Sequence, residues 1–227
     1  MKHTILLLAG MVTQAFSALT MVEMVDPFTA STPVISIRSG SAGSEQVDAG
    51  IALGGSRRVT VVVTSNPFFR DVRVGVIGST GQMFVEAGPL AAATVSLVYD
   101  GGGAGLGGVD ITVGGAANGL GMAFADSDPM LSMSLRLRDV GGNEALATVI
   151  HETAVEAGGV VFFKYADMTG ASLLDFTRID RLELLLDNGP SGDFTANHVA
   201  LYHAPEPGAP MLAGLSALLF CTRRKRC

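Results

Sequence analysis

The chain has no tryptophan, and its only two cysteines, Cys221 and Cys227, stand among the last few residues. Residues 1–220 therefore offer no thiol. This excludes a thiol nucleophile, a Cys-ligated zinc site and any disulfide for that stretch, which must be held by its core alone. Charge is sparse at 16% of residues, and basic residues are the scarcer kind, 15 Lys+Arg against 21 Asp+Glu. Setting aside residues 1–17 and 208–227 removes Lys2 and four terminal cations, so the remainder carries about −11. Nucleic-acid binding rests on phosphate neutralisation by cations, and so acidic a body is unsuited to it. No apolar run reaches the ~20 residues of a spanning helix. Between the two ends no segment shows a 3.6-residue apolar period.

What the sequence has instead is glycine, 29 residues of it, and alternation. Leu131, Met133, Leu135 and Leu137 alternate with Ser132, Ser134, Arg136 and Arg138, giving a strand with one dry and one wet face. Val72, Val74 and Val76 repeat the pattern, and 59–63 is dense in β-branched residues. Further strands are read at 34–38, 83–87, 94–99, 120–125, 146–152, 160–165, 179–186 and 198–203, with turns such as Gly141-Gly142-Asn143 and Asp187-Asn188-Gly189 between them. Ten or eleven strands without helices predict an all-β fold, an antiparallel β-sandwich of jelly-roll type. Residues 18–32 and 204–208 read as linkers. Residues 100–121 read as a glycine-rich loop with one short strand at 110–113.

The two ends differ from this body. Lys2 and His3 precede an apolar stretch at 5–12, and Ala15-Phe16-Ser17 offers the small-x-small pattern of a signal peptidase site, which would leave Ala18 as the new N-terminus. At the other end, Pro205-Glu206-Pro207 precedes an apolar run at 209–221 and the cluster Arg223-Arg224-Lys225-Arg226. Prolines keep the backbone extended, the apolar run partitions into a bilayer, and the cations hold the last residues on the cytoplasmic side. This three-part arrangement resembles the PEP-CTERM sorting signal of bacterial envelopes. The body also looks like ectodomains found with such signals, through Leu97-Val98-Tyr99-Asp100-Gly101, Gly105-Leu106-Gly107-Gly108-Val109-Asp110-Ile111-Thr112 and Asp193-Phe194. The resemblance implies a signal peptide at 1–17, a sandwich ectodomain at 18–203 and a sorting segment at 204–227 with a transmembrane helix. It implies signal peptidase and exosortase as processing partners, and an exopolysaccharide-producing, Gram-negative-type envelope as destination.

The chemical motifs are weaker. Gly103-Ala104-Gly105-Leu106-Gly107-Gly108 fits G-x-G-x-x-G, but β-formers follow where a dinucleotide site needs a helix, so it reads as loop. Asp126, Asp128, Asp187 and Asp193 are the oxygen donors that a structural Ca²⁺ would use; no other cofactor is expected. Glu152, Glu156, Asp180 and Glu183 lack any glycosidase context. His198 and His203 lie five apart on one strand, pointing to opposite faces. Phe68-Phe69, after Asn66-Pro67 in a turn, is the aromatic pair placed to meet a ligand. The expectation is an exported, non-catalytic envelope or matrix protein associated with exopolysaccharide. The alternative is a carbohydrate- or calcium-binding lectin-like module, and a polysaccharide-active enzyme stands third.

Overall fold

The structure, a computed structural model, describes residues 18–39, 43–48 and 50–205. The expected cleavage residues Ala15 and Ser17, the motif residues Glu206 and Pro207, the apolar segments 5–12 and 209–221, and the cations 223–226 lie outside these. Among the described residues no helix is long and apolar enough to cross a membrane.

Among the described residues thirteen strands form two antiparallel sheets, giving the β-sandwich of jelly-roll type. One sheet runs β11 (Val160–Lys164), β8 (Gly119–Ser127), β13 (Phe194–His203), β6 (Gln82–Ala87), β5 (Val72–Ile77), β2 (Thr32–Ile37), with β1 (Thr20–Asp26) also paired to β13. The other runs β10 (Glu144–His151), β9 (Leu131–Asp139), β12 (Ile179–Asp187), β7 (Ala92–Tyr99), β4 (Ser56–Ser65), β3 (Gly43–Asp48). The chain passes repeatedly from one sheet to the other, and only near neighbours such as β5–β6 and β9–β10 form hairpins within a sheet. Inward residues of both sheets make one core, which holds Leu131, Met133, Leu135 and Leu137 of β9 together with Phe124 of β8 and Phe194 and Val199 of β13. Phe124 and Phe194 meet edge to face at 5.8 Å.

Two expectations need correction. Residues 20–26, read as linker, form β1, because β13 offers a long free edge beyond the end of β6. The β-branched run 110–113 is a turn, not a strand. The Asp110 carboxylate accepts from Thr112 N (2.8 Å), Thr112 Oγ1 (2.6 Å) and Gly114 N (2.9 Å), which bends the chain away from any ladder.

Deep under β1 lies the largest fully buried side chain, Arg57 (0% exposed). Its Nη1 donates to Asp26 Oδ2 (2.6 Å), and its Nη2 donates to Ala30 O (2.7 Å) and Thr32 Oγ1 (2.9 Å). Asp26 also accepts from the Tyr99 hydroxyl (3.0 Å) and the Phe28 amide (2.8 Å), while the Phe28 ring lies 5.5 Å from the guanidinium. Burial, with the Asp26 charge beside it, lifts the Tyr99 hydroxyl well above its ordinary pKa, so it stays a donor. One salt-bridged cluster thus ties β1 and the start of β2 in the first sheet to β4 and β7 in the second.

A second buried carboxylate closes the β9–β10 hairpin. Asp139 accepts from Asn143 Nδ2 (2.9 Å) and Asn143 N (2.9 Å), and from the Asp175 amide (3.1 Å). These bonds, the Asn143 side chain first, hold its carboxyl down to about 2. A depressed folded pKa contributes stability that is fully present above the unfolded value near ~4 and is lost as pH falls toward 2. Between those limits the Tm of Asp139→Asn should depend less on pH than that of the unaltered protein. Equal slopes in a thermal melt series would show that this carboxylate is not the source.

Candidate functional site

The direction of β13 fixes two poles. It starts beside Asp193, antiparallel to β8 with Phe194 opposite Ser127, and ends with Tyr202 opposite Gly119 and His203 opposite Thr20. Ten residues of strand separate the poles by about 30 Å. At the His203 pole, Asn118 grips the outgoing chain. Its Nδ2 donates to Ala204 O (2.6 Å) and its Oδ1 accepts from Ala204 N (2.8 Å). Ala18, the expected new N-terminus, is exposed two residues before Thr20 in sequence, and Pro205 follows Ala204.

At the opposite pole four loops are stitched together. The 66–71 loop is shaped by Asn66, whose Oδ1 accepts from Arg70 N (2.9 Å) and whose Nδ2 donates to Arg70 O (2.6 Å). The Gly88 amide donates to Asp71 O (3.3 Å), joining that loop to the one between β6 and β7. The latter is bound to the β12–β13 loop by Leu90 N to Ser191 Oγ (2.6 Å), Ser191 N to Ala91 O (2.8 Å) and Ala87 N to Asp193 Oδ1 (2.6 Å). Asp193 and Asp128 then exchange two bonds, Asp128 N to Asp193 O (2.8 Å) and Asp193 N to Asp128 Oδ2 (3.0 Å). Buried Asn188 braces the group beneath, accepting from Ala93 N (3.2 Å) and donating to Gly192 O.

Beside these loops opens a cavity of about 430 Å³, lined by Phe84, Glu86, Asp126, Asp128, Asp193 and Thr195 with their neighbours. Partial burial, then the carboxylates of Asp128, Glu86 and Asp126, raise the Asp193 pKa, against the lowering effect of the Ala87 amide. Three of the four expected calcium ligands, Asp126, Asp128 and Asp193, therefore line one cavity. Asp187 does not line it: it ends β12 in the other sheet, where its Oδ1 accepts from the Gly189 amide (3.0 Å). Among the described residues no three of His, Cys, Asp and Glu converge closely enough to hold a metal ion.

The remaining candidates are scattered. Glu183 accepts from Ser96 (3.0 Å) and Arg181 (3.3 Å) on the outer face of the second sheet. Asp180 packs against Gly105. His198 shares a hydrogen bond with Tyr202 (2.9 Å), and Tyr202 meets Phe162 edge to face. A second cavity, also about 430 Å³, separates the edge strands β10 and β11 and is lined by Leu146, Thr148, Val149, Phe162, Lys164 and Asp167 among others.

Phe68 (57% exposed) and Phe69 (69% exposed) stand on the tip of the 66–71 loop, as their turn position suggests. Sequence reasoning missed two residues that share this pole with them, Leu90 (51% exposed) and Met130 (58% exposed). Nothing in their local sequence marks them.

No family profile matches the chain, and no curated protein matches it by sequence. Among solved structures it is similar to the family 11 carbohydrate-binding module of the cellulosomal cellulase Lic26A-Cel5E of Clostridium thermocellum, at 13% identity and a TM-score of 0.37, over 84% of this chain and 99% of that one. It is also similar to an exo-β-agarase, at 8% identity and a TM-score of 0.35, over 82% of this chain but only 26% of the agarase. A third likeness is to the enzymatically active domain of tailspike protein 4 of bacteriophage CBA120, at 10% identity and a TM-score of 0.33, over 77% of this chain and 20% of that one. These are likenesses of fold at low overlap and carry no functional assignment.

Proposed function

We propose that the chain is an exported, non-catalytic envelope or matrix protein, sorted by exosortase through Pro205-Glu206-Pro207 and associated with exopolysaccharide. The supporting observation is the pairing of Thr20 with His203. It brings the residues next to both export segments to one pole of the sandwich, so that a single pole would face the membrane during export and sorting. The Asn118 clamp on Ala204 ends the sandwich one residue before the motif. Pro205, the first residue of the motif, follows the clamped Ala204 directly in sequence. The acidic body suits a soluble, surface-displayed module.

The test is fractionation of cells with and without exosortase. With the enzyme, the chain should run shorter by its tail and appear in the outer fractions. Without it, the longer form should stay with the inner membrane. Identical size and location in both strains would sink the proposal.

A further inference from the structure

We infer that the loop pole is a glycan-binding surface whose contact residues are Phe68, Phe69, Leu90 and Met130. The backbone carries the argument. Among the described residues six non-glycine positions have positive φ, and four of them lie on this pole: Phe69 (52°), Leu90 (58°), Met130 (69°) and Ser191 (62°). Each sits on a different one of the four hydrogen-bonded loops, except that Phe69 shares its tip with Phe68. Glycine adopts this conformation without the steric conflict that a Cβ brings, so a turn alone would favour glycine at these places. At three of the four, Phe69, Leu90 and Met130, the chain places a large apolar side chain instead, and each is more than half exposed. They contribute little to the core and strain the backbone, so their use lies outside the fold.

The surroundings select the occupant. The adjoining cavity wall presents the acceptors Asp126, Asp128 and Thr195 with the half-buried Phe84 ring, while Glu86 is ion-paired with Arg73 (2.7 Å). A neutral polysaccharide matches both parts: its C–H faces pack on aromatic and aliphatic tips, and its hydroxyls donate to carboxylates. A polyanion, or an anionic lipid surface, is repelled by these carboxylates. The lipid is further disfavoured by orientation, because the pole next to Pro205 lies at the opposite end of β13. This last step rests on the proposed sorting; the binding itself does not.

The test uses the full chain in detergent micelles, titrated with neutral hexasaccharides of β-1,3-glucan, β-1,4-glucan and agarose. The comparison variants are Phe69→Gly/Leu90→Gly/Met130→Gly and, with the backbone untouched, Phe68→Ala. The account expects binding of at least one hexasaccharide, weakened about tenfold or more in the glycine variant, a ΔΔG of about 1.4 kcal/mol or more. The Tm of that variant should be kept or raised, since glycine relieves the strain. Phe68→Ala should weaken binding with Tm unchanged. Absence of binding to all three glycans overturns the inference. So does binding indifferent to both variants, or capture on phosphatidylglycerol vesicles that the glycine variant weakens. Such a failure leaves exosortase-dependent processing intact, and failed processing leaves glycan binding intact.

Discussion

Replacing Arg57 with alanine will lower the free energy of unfolding by about 3–5 kcal/mol, and Tm by about 10 °C. The reason is what stays behind. Asp26 is 1% exposed, and without the guanidinium its carboxylate keeps, among the described residues, the Tyr99 hydroxyl and the Phe28 amide as partners. A buried charge left without its counter-ion loses solvation that two neutral donors do not restore. Ala30 O and Thr32 Oγ1 lose their donor as well. Arg57→Lys should recover only part of the loss. A lysine offers one nitrogen where the guanidinium sends Nη1 to Asp26 and Nη2 to both other acceptors. The paired change Asp26→Leu/Arg57→Met should cost less than either single change, because it removes both charges together. Equilibrium denaturation in urea measures the unaltered protein, these variants and the two single changes. A cost below about 1 kcal/mol for Arg57→Ala would place the cluster in the class of exposed pairs and deny it a role in docking β1.

This cluster also shows where sequence reading stops. β9 was legible because its apolar residues keep a strict period of two, and in the fold all four face the core. β1 was not legible. Its pairing with β13 shifts register between Met21 and Glu23 and again between Met24 and Asp26, which erases the alternation. β3, at the edge of its sheet, is not among the strands read from the sequence, and a buried partner for Arg57 cannot be seen from Arg57-Arg58 alone. At 110–113 local hydrogen bonding to Asp110 overrode β propensity.

The loop pole was half legible. Asn66-Pro67 announces a turn, so Phe68 and Phe69 could be placed on a tip. Leu90 and Met130 could not, since no local pattern marks a non-glycine residue at positive φ. Nor could the sequence show that loops more than 100 residues apart, at Ala87 and Asp193, share a hydrogen bond. Asp126, Asp128 and Asp193 come together because β8 and β13 are neighbours, while the β12–β13 connection carries Asp187 to the other sheet.

Export is the central claim of the proposed function, and the scarcity of cysteine gives it a direct test. With Cys221→Ala and Cys227→Ala the chain has no thiol, so Ala154→Cys, on an exposed loop, becomes its single reactive site. An exposed thiol in its ordinary pKa range reacts readily with maleimide. A sulfonated maleimide passes the outer membrane but not the cytoplasmic one. If the sandwich is exported, intact cells will label Cys-substituted protein to the same extent as lysed cells, an all-or-none difference from a cytoplasmic control. Labelling that appears only after lysis would contradict the account.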